Sequence, residues 1–383
     1  LDDYCSDTRL GNALIIFHSI GRDQTVKIAG HAWWRSRDHA VFKSAVAEVE
    51  RACQAWIHAL ILQRTRPRIK QVILPAYCDK LAAMNTIPEF PQQTELTLAH
   101  NDIIRAAVSA QGIRAAEYSF YYLTGWYYNR PARISRIGDR FVLDVEGKQG
   151  GHIFLGPFGT GPLKPAVEKL LNHAVSDFGE ERVLHFLPGS LAEAIMAEMT
   201  PTRIVEHRDY FDYLYLREEL SDLSGRKFQK RRNQLNKIQR ENSAEVVPLL
   251  EKDIEQIFIC FDRWYEKYGD DDPFLEMEKQ SIRRALPNLW KLGGQGIRVK
   301  IADNMCGISW AVPISDDTWL VPVEKAAREV KGMYQYVNWA LANSLPASAK
   351  ILNREADLGI EGLRTAKERY NPMGFEKKIT LWF

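Results

Sequence analysis

The sequence lacks the long apolar run that a membrane-spanning helix requires. A bilayer span needs about 18 to 20 apolar residues, and the longest candidates are residues 12–17 and the helix-like segment 52–62. We therefore predict no transmembrane helix. The chain begins with Leu1 and two aspartates, without a basic segment followed by an apolar one. We expect a trimmed or fragmentary start, no secretory leader and a cytoplasmic location.

The patterns that announce metal sites or disulfide frameworks are also missing. The five cysteines are odd in number and widely spread, without a Cys-x-x-Cys pair or a Cys/His cluster at zinc spacing. The nine histidines include no His-Glu-x-x-His motif. Asp270–Asp272 lacks the ligand spacing of a calcium loop, so it is interpreted as a solvated loop. We expect reduced thiols and no metal ion.

The chain has almost no net charge. Its 51 Lys and Arg nearly cancel its 49 Asp and Glu, so the +2 balance does not indicate a nucleic-acid or membrane partner by itself. Any such signal has to be local. With 45% hydrophobic and 11% aromatic residues in 383, the composition is that of an ordinary globular protein. That length predicts more than one domain.

The first 90 residues predict a small α/β segment. Apolar residues recur at helical spacing over residues 39–64, and the strand-like Val72-Ile-Leu-Pro follows. Pro88 and Pro91 lie in a polar stretch, residues 86–94, which is the best linker candidate. We therefore divide the chain into 1–90, 91–205 and 206–383.

Residues 91–205 predict an antiparallel sheet with helices. A hairpin turns at Gly138-Asp139, and a third strand covers residues 152–158. The aromatic run 118–128 could stack nucleic-acid bases, but its helical spacing is more typical of a core. The remaining predicted elements are helices over 164–178 and 190–199 with a strand over 182–187.

Residues 206–383 predict a second unit of similar kind. Strands at 297–302, 308–314 and 319–323 precede helix 332–345 and strand 350–352. Helix 361–368 and a strand over 377–383 complete the pattern. Three antiparallel strands followed by helix, strand, helix and strand are typical of a GNAT acyltransferase. The sequence thus predicts an α+β (mixed α/β) fold of tandem GNAT-like acyltransferase domains.

One predicted helix is strongly basic. Between Ser224 and Arg240 there are seven basic residues and no acidic one. At 100° per residue, one stripe is polar and a second is apolar. The polar stripe holds Arg226, Lys230, Asn233, Lys237 and Arg240, and the apolar one holds Phe228, Leu235 and Ile238. Such a stripe fits a phosphate-rich partner, and the alternative is a solvated charged helix.

A second concentration of polar residues spans 353–375. Leu363, Lys367 and Tyr370 share one helical face, and Pro372 ends the helix before the last strand. The charged members are Glu355, Asp357, Arg364 and Lys367. They are either catalytic and substrate-binding groups or an ion-pair network that fastens the last helix.

Three strings carry a family resemblance. They are YFDYLYLREELSDLSGRKFQKRRNQLNKI at 210–238, VEKAAREVKGMYQYVNWALAN at 323–343 and NREADLGIEGLRTAKERYNPMGF at 353–375. They resemble the signature stretches of the phosphatidylglycerol lysyltransferase C-terminal-like family of bacterial proteins, over about residues 95–383. The ending of the third string also resembles that of the lysyltransferases themselves, which transfer an amino acid from aminoacyl-tRNA to a lipid headgroup. Fem-type aminoacyltransferases share the duplicated fold.

The resemblance implies a site and a reaction. The tRNA would lie along Arg226, Lys230 and Arg231. Its ester would enter a cleft near Tyr334, Asn338 and Lys367, and Gly332 and Tyr370 would also bind the substrate. Arg364 or Lys367 would stabilise an oxyanion, and Glu355 and Asp357 would orient cations or recognise an amino group. The acceptor would offer an amine or a hydroxyl group. The membrane-embedded part of the lysyltransferases is not matched, so a small-molecule, peptide or lipid-headgroup acceptor stays open.

The expected donor is aminoacyl-tRNA, without any cofactor. Acetyltransferases hold the CoA pyrophosphate with a glycine-rich loop at a helix start. The matching segment, Arg328 to Tyr334, has only Gly332, and Tyr334 follows closely. A bulky side chain there would obstruct the phosphate. Acetyl-CoA or another acyl-CoA is the alternative donor, and a non-catalytic binding protein of the same fold is the third hypothesis.

Overall fold

The computed structural model describes residues 5–10, 13–20, 23–28 and 87–383, except 128–130, 148–150, 179–180, 270–272 and 303. By its internal contacts the chain divides into Leu1–Asp79 and Lys80–Phe383. In the first unit, strands β1 (Cys5–Leu10), β2 (Ala13–Ile20) and β3 (Asp23–Ile28) form an antiparallel sheet that the sequence did not predict. The helix predicted at 39–64 and the strand at 72–75 lie outside the described residues.

The second unit opens with helices and a four-stranded sheet. The helices are α1 (Asn101–Gln111) and α2 (Phe120–Trp126). The strands are β4 (Thr94–Glu95), β5 (Arg133–Ile137), β6 (Arg140–Glu146) and β7 (His152–Gly159), antiparallel in that order. The predicted hairpin is confirmed, with Gly138 in the left-handed region at φ 62°. The aromatic run is largely core, since Phe120, Tyr121 and Leu123 are buried.

Two helices and two strands follow the four-stranded sheet. They are α3 (Leu163–Phe178), β8 (Val183–Pro188), α4 (Gly189–Glu198) and β9 (Arg203–Glu206). Strands β8 and β9 do not pair with each other. Instead, the last strand of the chain, β17 (Lys378–Trp382), lies between them and is antiparallel to both. The end of the chain therefore completes a sheet begun near residue 183.

The rest of the unit is built on a seven-stranded sheet. Its strands are β10 (Asp212–Leu216), β11 (Glu245–Pro248), β12 (Gln295–Ile301), β13 (Asn304–Pro313), β14 (Thr318–Ala326), β15 (Ile351–Asn353) and β16 (Gly374–Glu376). Their order is β11-β12-β13-β14-β15-β10-β16, and only β14 and β15 are parallel. This parallel step places the start of the C-terminal motif, after β15, beside β10 and β14.

Six helices accompany this sheet. They are α5 (Arg217–Asp222), α6 (Gln229–Asn242), α7 (Ile254–Tyr268), α8 (Pro273–Ala285), α9 (Met333–Ser344) and α10 (Glu361–Glu368). The basic segment is a 3-10 turn, Arg226–Phe228, continued by α6. Helix α9 buries Val337, Ala340 and Leu341 against the sheet because those residues share one face.

The core is continuous across the predicted boundary near residue 205. One buried cluster joins side chains of β5–β7 and α2 to those of β13 and α8. Within it, the indole nitrogen of Trp310 donates a hydrogen bond of 2.8 Å to the hydroxyl of Tyr121. Burial of such large aromatic side chains contributes roughly 2–3 kcal/mol each. The bounds 91–205 and 206–383 stay predictions.

Candidate active site

One lysine, Lys367, fixes the backbone of the loop that follows β15. Lys367, the main buried residue of α10, donates from Nζ to three successive carbonyl oxygens. These are the carbonyls of Arg354 at 2.7 Å, Glu355 at 2.9 Å and Ala356 at 2.6 Å. An ammonium has three protons, and all three are used. Burial, the largest influence, lowers the pKa of Lys367 from its usual value.

Glu355 has a strained backbone, and one of its carboxyl oxygens has no hydrogen-bond partner among the described residues. Its φ of 55° lies in the left-handed region, which is uncommon outside glycine. Its N–H donates to Asn353 Oδ1 at 2.7 Å, and its carbonyl accepts from the N–H of Tyr213 at 3.2 Å. The carboxyl Oε1 is buried without a hydrogen-bond partner among the described residues. Burial raises the pKa of this carboxyl, and the neighbouring Lys367 opposes the shift.

Asp357, two residues on, has the opposite environment. It is fully buried and accepts hydrogen bonds from Tyr213 Oη at 2.6 Å, Arg364 Nε at 2.9 Å and Arg208 Nη1 at 3.1 Å. The N–H of Gly359 and the Nη2 of Arg364 also donate to it, both at 2.9 Å. Burial opposes ionisation, but the hydrogen bonds from Arg364 and Tyr213 outweigh it and lower the pKa of Asp357 well below its usual range.

Arg364 completes the attachment of α10. Besides Asp357, its Nη2 donates to Asp209 Oδ1 at 2.6 Å. The Asp357–Arg364 pair is one part of the ion-pair network that the sequence offered as one of its two interpretations. Lys367 binds backbone carbonyls instead, and Glu355 forms no ion pair among the described residues. In this geometry Arg364, Asp357 and Lys367 hold α10 and the loop in place. Their predicted catalytic roles stay predictions.

Tyr370 is the point where the C-terminal motif meets the basic helix. The guanidinium of Arg231, from α6, lies 3.7 Å from the centre of the Tyr370 ring and donates to the carbonyl of Arg369. Arg354, from the loop, lies 4.5 Å from the same ring. One buried nitrogen of each guanidinium, Nη1 in both, has no hydrogen-bond partner in the described part of the chain. Burial lowers the pKa of Arg231.

The polar stripe of the basic helix faces solvent, as predicted. Arg226, Lys230, Asn233, Lys237 and Arg240 are exposed, whereas Phe228, Leu235 and Ile238 are buried. Glu241 lies 3.7 Å from Lys237 and 3.5 Å from Arg240. Within the residues that the structure describes, Arg226 and Lys230 form no ion pair. Surface cations of this kind remain available to a phosphate backbone.

The glycine at the start of α9 is covered by the basic helix. Gly332 has a φ of 94°, and a Cβ there would lie 3.3 Å from Ile238 and 3.6 Å from Gln234. The next amide, that of Met333, already donates to the carbonyl of Val330. Tyr334 is half-buried. Side chains of α6 therefore lie close to this helix start, and the exclusion of a CoA pyrophosphate stays a prediction.

Asn338, on α9, is linked through Glu324 to Arg354 in the loop after β15. It is buried on α9 and donates from Nδ2 to Glu324 Oε2 at 3.0 Å, while Arg354 donates to Glu324 Oε1 at 2.9 Å. The structure thus brings Asn338, Arg354 and Tyr370 together around residues 354–360, the loop between β15 and α10, which we call the motif loop. Gly332 lies against α6 instead, and Tyr334 packs against the core cluster that contains side chains of α9.

Known proteins are similar to this chain over the region that contains the candidate site. The family model for the phosphatidylglycerol lysyltransferase C-terminal region matches residues 111–381, which include all three motif strings. The chain belongs to this family. A comparison with curated proteins found no match. The predicted family resemblance is confirmed, and it supports an acyltransferase-type function for this family member.

Solved structures agree with the family. A conserved protein of unknown function from Bacteroides thetaiotaomicron VPI-5482 is 28% identical, with a TM-score of 0.70 over 76% of this chain and 99% of that one. The C-terminal domain of a putative lysylphosphatidylglycerol synthetase from Agrobacterium fabrum is 11% identical, with a TM-score of 0.50 over 75% and 92%. The predicted mixed α/β fold of the GNAT-like acyltransferase type is confirmed.

Sequence reasoning missed a buried cluster of charges in this family member. Lys378 is fully buried and pairs with Glu117 and, at 3.0 Å, with Asp212. Asp212 Oδ2 also accepts from the amide of Ala116 and from Asn353 Nδ2, both at 2.9 Å. We call Glu117, Asp212 and Lys378 the junction cluster. A lysine inside the apolar last strand was the signal that could have revealed it.

Glu376 adds a second link near the junction cluster. Its two carboxylate oxygens accept from the amide of Gly189 at 2.8 Å and from that of Arg114 at 2.9 Å. Burial raises its pKa to about 7, against the attraction of Lys378. The residue therefore ties β16 to α4 and to the loop after α1.

A surface groove of about 420 Å³ lies elsewhere, on the four-stranded sheet. Its lining includes Asp144 and His152, whose side chains are 2.8 Å apart, and none of the predicted site residues. Among the described residues, no three His, Cys, Asp or Glu side chains are placed to hold a metal ion. Over the same residues, no helix is both long and apolar enough to cross a membrane.

Proposed function

We propose that this protein transfers an aminoacyl group from aminoacyl-tRNA to an acceptor. The contact between the basic helix and the C-terminal motif at Tyr370 supports the proposal most directly. It joins an exposed row of cations, which suits an RNA backbone, to a loop with buried unsatisfied polar groups. The tRNA acceptor end would follow Arg226 and Lys230, and its ester would reach the loop beside Tyr370.

The donor in this reaction is already an activated ester, so positioning supplies much of the catalysis. An oxyanion that forms on the ester carbonyl needs a donor that is free to bind it. Lys367 gives all three protons to carbonyl oxygens, and Arg364 is bound by Asp357 and Asp209. We therefore assign the oxyanion contact to the unsatisfied Nη1 of Arg354, and we give Lys367 the role of holding the loop.

Donor binding can be tested without knowledge of the acceptor. Filter binding of aminoacyl-tRNA should weaken steeply as salt rises, because each neutralised phosphate releases counterions. Lys230→Glu should weaken binding at least about 10-fold at low salt. Lys291→Glu is the matched control, since Lys291 is also exposed but lies in the turn before β12. Equal effects of the two changes would refute the proposed tRNA surface.

Transfer is the second test. Labelled aminoacyl-tRNA or labelled acetyl-CoA is incubated with primary amines, short peptides or phosphatidylglycerol vesicles. We expect label to move from aminoacyl-tRNA, and Arg354→Met to reduce that transfer about 100-fold. Acetyl transfer alone would replace the proposal with a CoA-dependent reaction. Binding of aminoacyl-tRNA without transfer to any acceptor would favour a binding protein.

A further inference from the structure

The backbone around Glu355 is fixed more firmly than its side chain. Asn353 Oδ1 holds its N–H, and the N–H of Tyr213 and Nζ of Lys367 hold its carbonyl. These contacts keep the residue at a φ of 55°, a conformation that costs about 1 kcal/mol or more for a side chain other than glycine. None of them involves the carboxyl group. The loop therefore fixes the backbone of Glu355 and leaves its carboxyl group available to a ligand.

The neighbouring carboxylates already have cations. Asp212 and Glu117 bind Lys378, and Glu278 accepts from Lys325 Nζ at 2.6 Å. Glu324, on β14, binds Arg354 of the loop. Glu355 Oε1 has no hydrogen-bond donor in the described residues, although it is buried. An unsatisfied buried acceptor costs about 1–3 kcal/mol, so its persistence calls for a ligand that fills it.

The surroundings of Glu355 suit a cation better than a neutral hydroxyl. The charged groups that act on it are Lys367 from α10, Asp212 from β10, Glu278 from α8 and Glu117 before α2. Three of the four are carboxylates. The charge of Glu355 also acts on the hydroxyl groups of Tyr121 and Tyr122 on α2. Burial is the main cause that raises the pKa values of these hydroxyls, and Glu355 adds to it. Several carboxylates around one site therefore favour an ammonium group.

We propose that Glu355 binds the primary amine of the acceptor and takes its proton, so that the product of this protein is an amide. The inference rests on the proposed aminoacyl transfer and names its acceptor class. The Nη1 of Arg354, on the preceding residue, would face the ester carbonyl while Glu355 Oε1 faces the attacking nitrogen. One loop would then supply both the oxyanion donor and the base.

The proton balance is simple. The acceptor enters as an ammonium and gives one proton to the Glu355 carboxylate, which leaves a neutral amine. The amine nitrogen bonds to the ester carbonyl carbon, and the bond from that carbon to the tRNA 3′ oxygen breaks. The second proton of the nitrogen ends on that oxygen, and Glu355 returns the first to solvent. Amide, deacylated tRNA and one proton are the products.

Burial fits this task, because a base for an amine works best when its pKa is close to the working pH. Burial raises the pKa of Glu355 toward that range, with Lys367 opposing the shift and Asp212, Glu278 and Glu117 reinforcing it. A bound ammonium lowers the pKa again, so the amine should expel a proton when it binds near neutral pH.

The first test measures amine binding alone. Calorimetry with n-butylamine in two buffers of different ionisation heat should show proton release on binding to the wild type. Glu355→Gln keeps the shape of the side chain and should lose both the binding and the proton release. Glu361→Gln, at the exposed start of α10, is the matched control and should keep both. Equal binding to all three proteins would overturn the inference.

The second test measures transfer from aminoacyl-tRNA to n-butylamine across pH. Glu355→Gln should reduce kcat at least about 100-fold and remove the acidic limb of the pH profile, while the KM for the tRNA stays unchanged. Glu355→Asp should restore part of the rate. An unchanged pH profile in Glu355→Gln would refute the base role but leave aminoacyl transfer intact. Glu355-dependent amine binding without any transfer would instead refute aminoacyl transfer.

Discussion

Two carboxyl groups of the motif loop, those of Glu355 and Asp357, differ in their hydrogen bonds and in the direction of their pKa shifts. Asp357 accepts from two arginines, a tyrosine hydroxyl and an amide, and its pKa is lowered well below its usual range once those bonds outweigh burial. Glu355 has an empty Oε1, and burial raises its pKa. Side chains of nearly the same chemistry therefore differ because Asp357 meets donors from four residues, whereas Glu355 Oε1 meets none in the described part of the chain.

This difference in hydrogen bonding distinguishes a carboxylate that stabilises the fold, Asp357, from one that is available to a ligand, Glu355. A saturated buried carboxylate stabilises the positions of the elements that supply its donors, here α10 and the turn at Arg208. An open one destabilises the free protein and is retained where it binds something. The two kinds of site can be told apart by substitution, because only the saturated one should be costly to neutralise.

The largest expected effect comes from breaking the junction cluster, the most completely paired charges near the loop. Lys378→Met leaves Asp212 and Glu117 buried without their cation, and removal of one member of a buried ion pair costs about 3–5 kcal/mol. Urea denaturation should show that loss of unfolding free energy. Lys377→Met, one residue before and exposed, is the control. A loss below about 1 kcal/mol would mean that the cluster does not stabilise β17.

Asp357→Asn is expected to be the next largest. It removes the charge that binds Arg208 and Arg364, but both arginines are partly exposed and can turn toward water. Hydrogen bonds to a charged group contribute about 1.5–3 kcal/mol, so we expect a loss of about 2 kcal/mol in urea denaturation. Asp209→Asn, at an exposed partner of Arg364, should cost less than about 1 kcal/mol. Equal losses would contradict the central role of Asp357.

Most elements between residues 96 and 383 could be predicted from periodicity. Helix Glu361–Glu368 has the predicted bounds, and most others differ by a few residues. The missed elements include the short strands Arg203–Glu206, Glu245–Pro248 and Gly374–Glu376. Such short strands carry too few residues for a pattern to appear. The partners of β17 were also unpredictable, because pairing over almost 200 residues leaves no local signal.

The candidate site could also be predicted only in part. The exposure of Arg226, Lys230 and Lys237 followed from helical geometry, since 100° per residue fixes which side chains share a face. The unbonded carboxyl oxygen of Glu355 could not be predicted, because it depends on a positive φ and on the bonds that Asn353, Tyr213 and Lys367 form with the backbone of Glu355. The sequence offered Asp357 and Glu355 as one pair. Only the folded loop distinguishes them.

Glu376 gives a test that depends on pH. Its carboxyl has a folded pKa of about 7, above the ordinary 4.5, because of burial. Stability from this group is fully present below the unfolded pKa and is lost as pH rises through the folded one. Glu376→Gln should remove that dependence, so the wild type should lose roughly 1–3 kcal/mol more than the variant between pH 4.5 and 7.5. Parallel stability curves would contradict the raised pKa.

The smallest expected effect is that of Glu355→Gln on stability, measured at pH 6 beside Asp357→Asn. A carboxyl whose pKa is raised is largely protonated at that pH, and glutamine has the shape and neutrality of the protonated acid. Because Oε1 forms no hydrogen bond with the described residues, the change removes none there, and the unfolding free energy should move by less than about 0.5 kcal/mol. As pH rises, the wild type should lose stability that the variant keeps, since ionisation of the buried carboxyl favours unfolding. A loss at pH 6 as large as that of Asp357→Asn would show that Glu355 is bonded in solution, and the contrast between the two carboxylates would disappear.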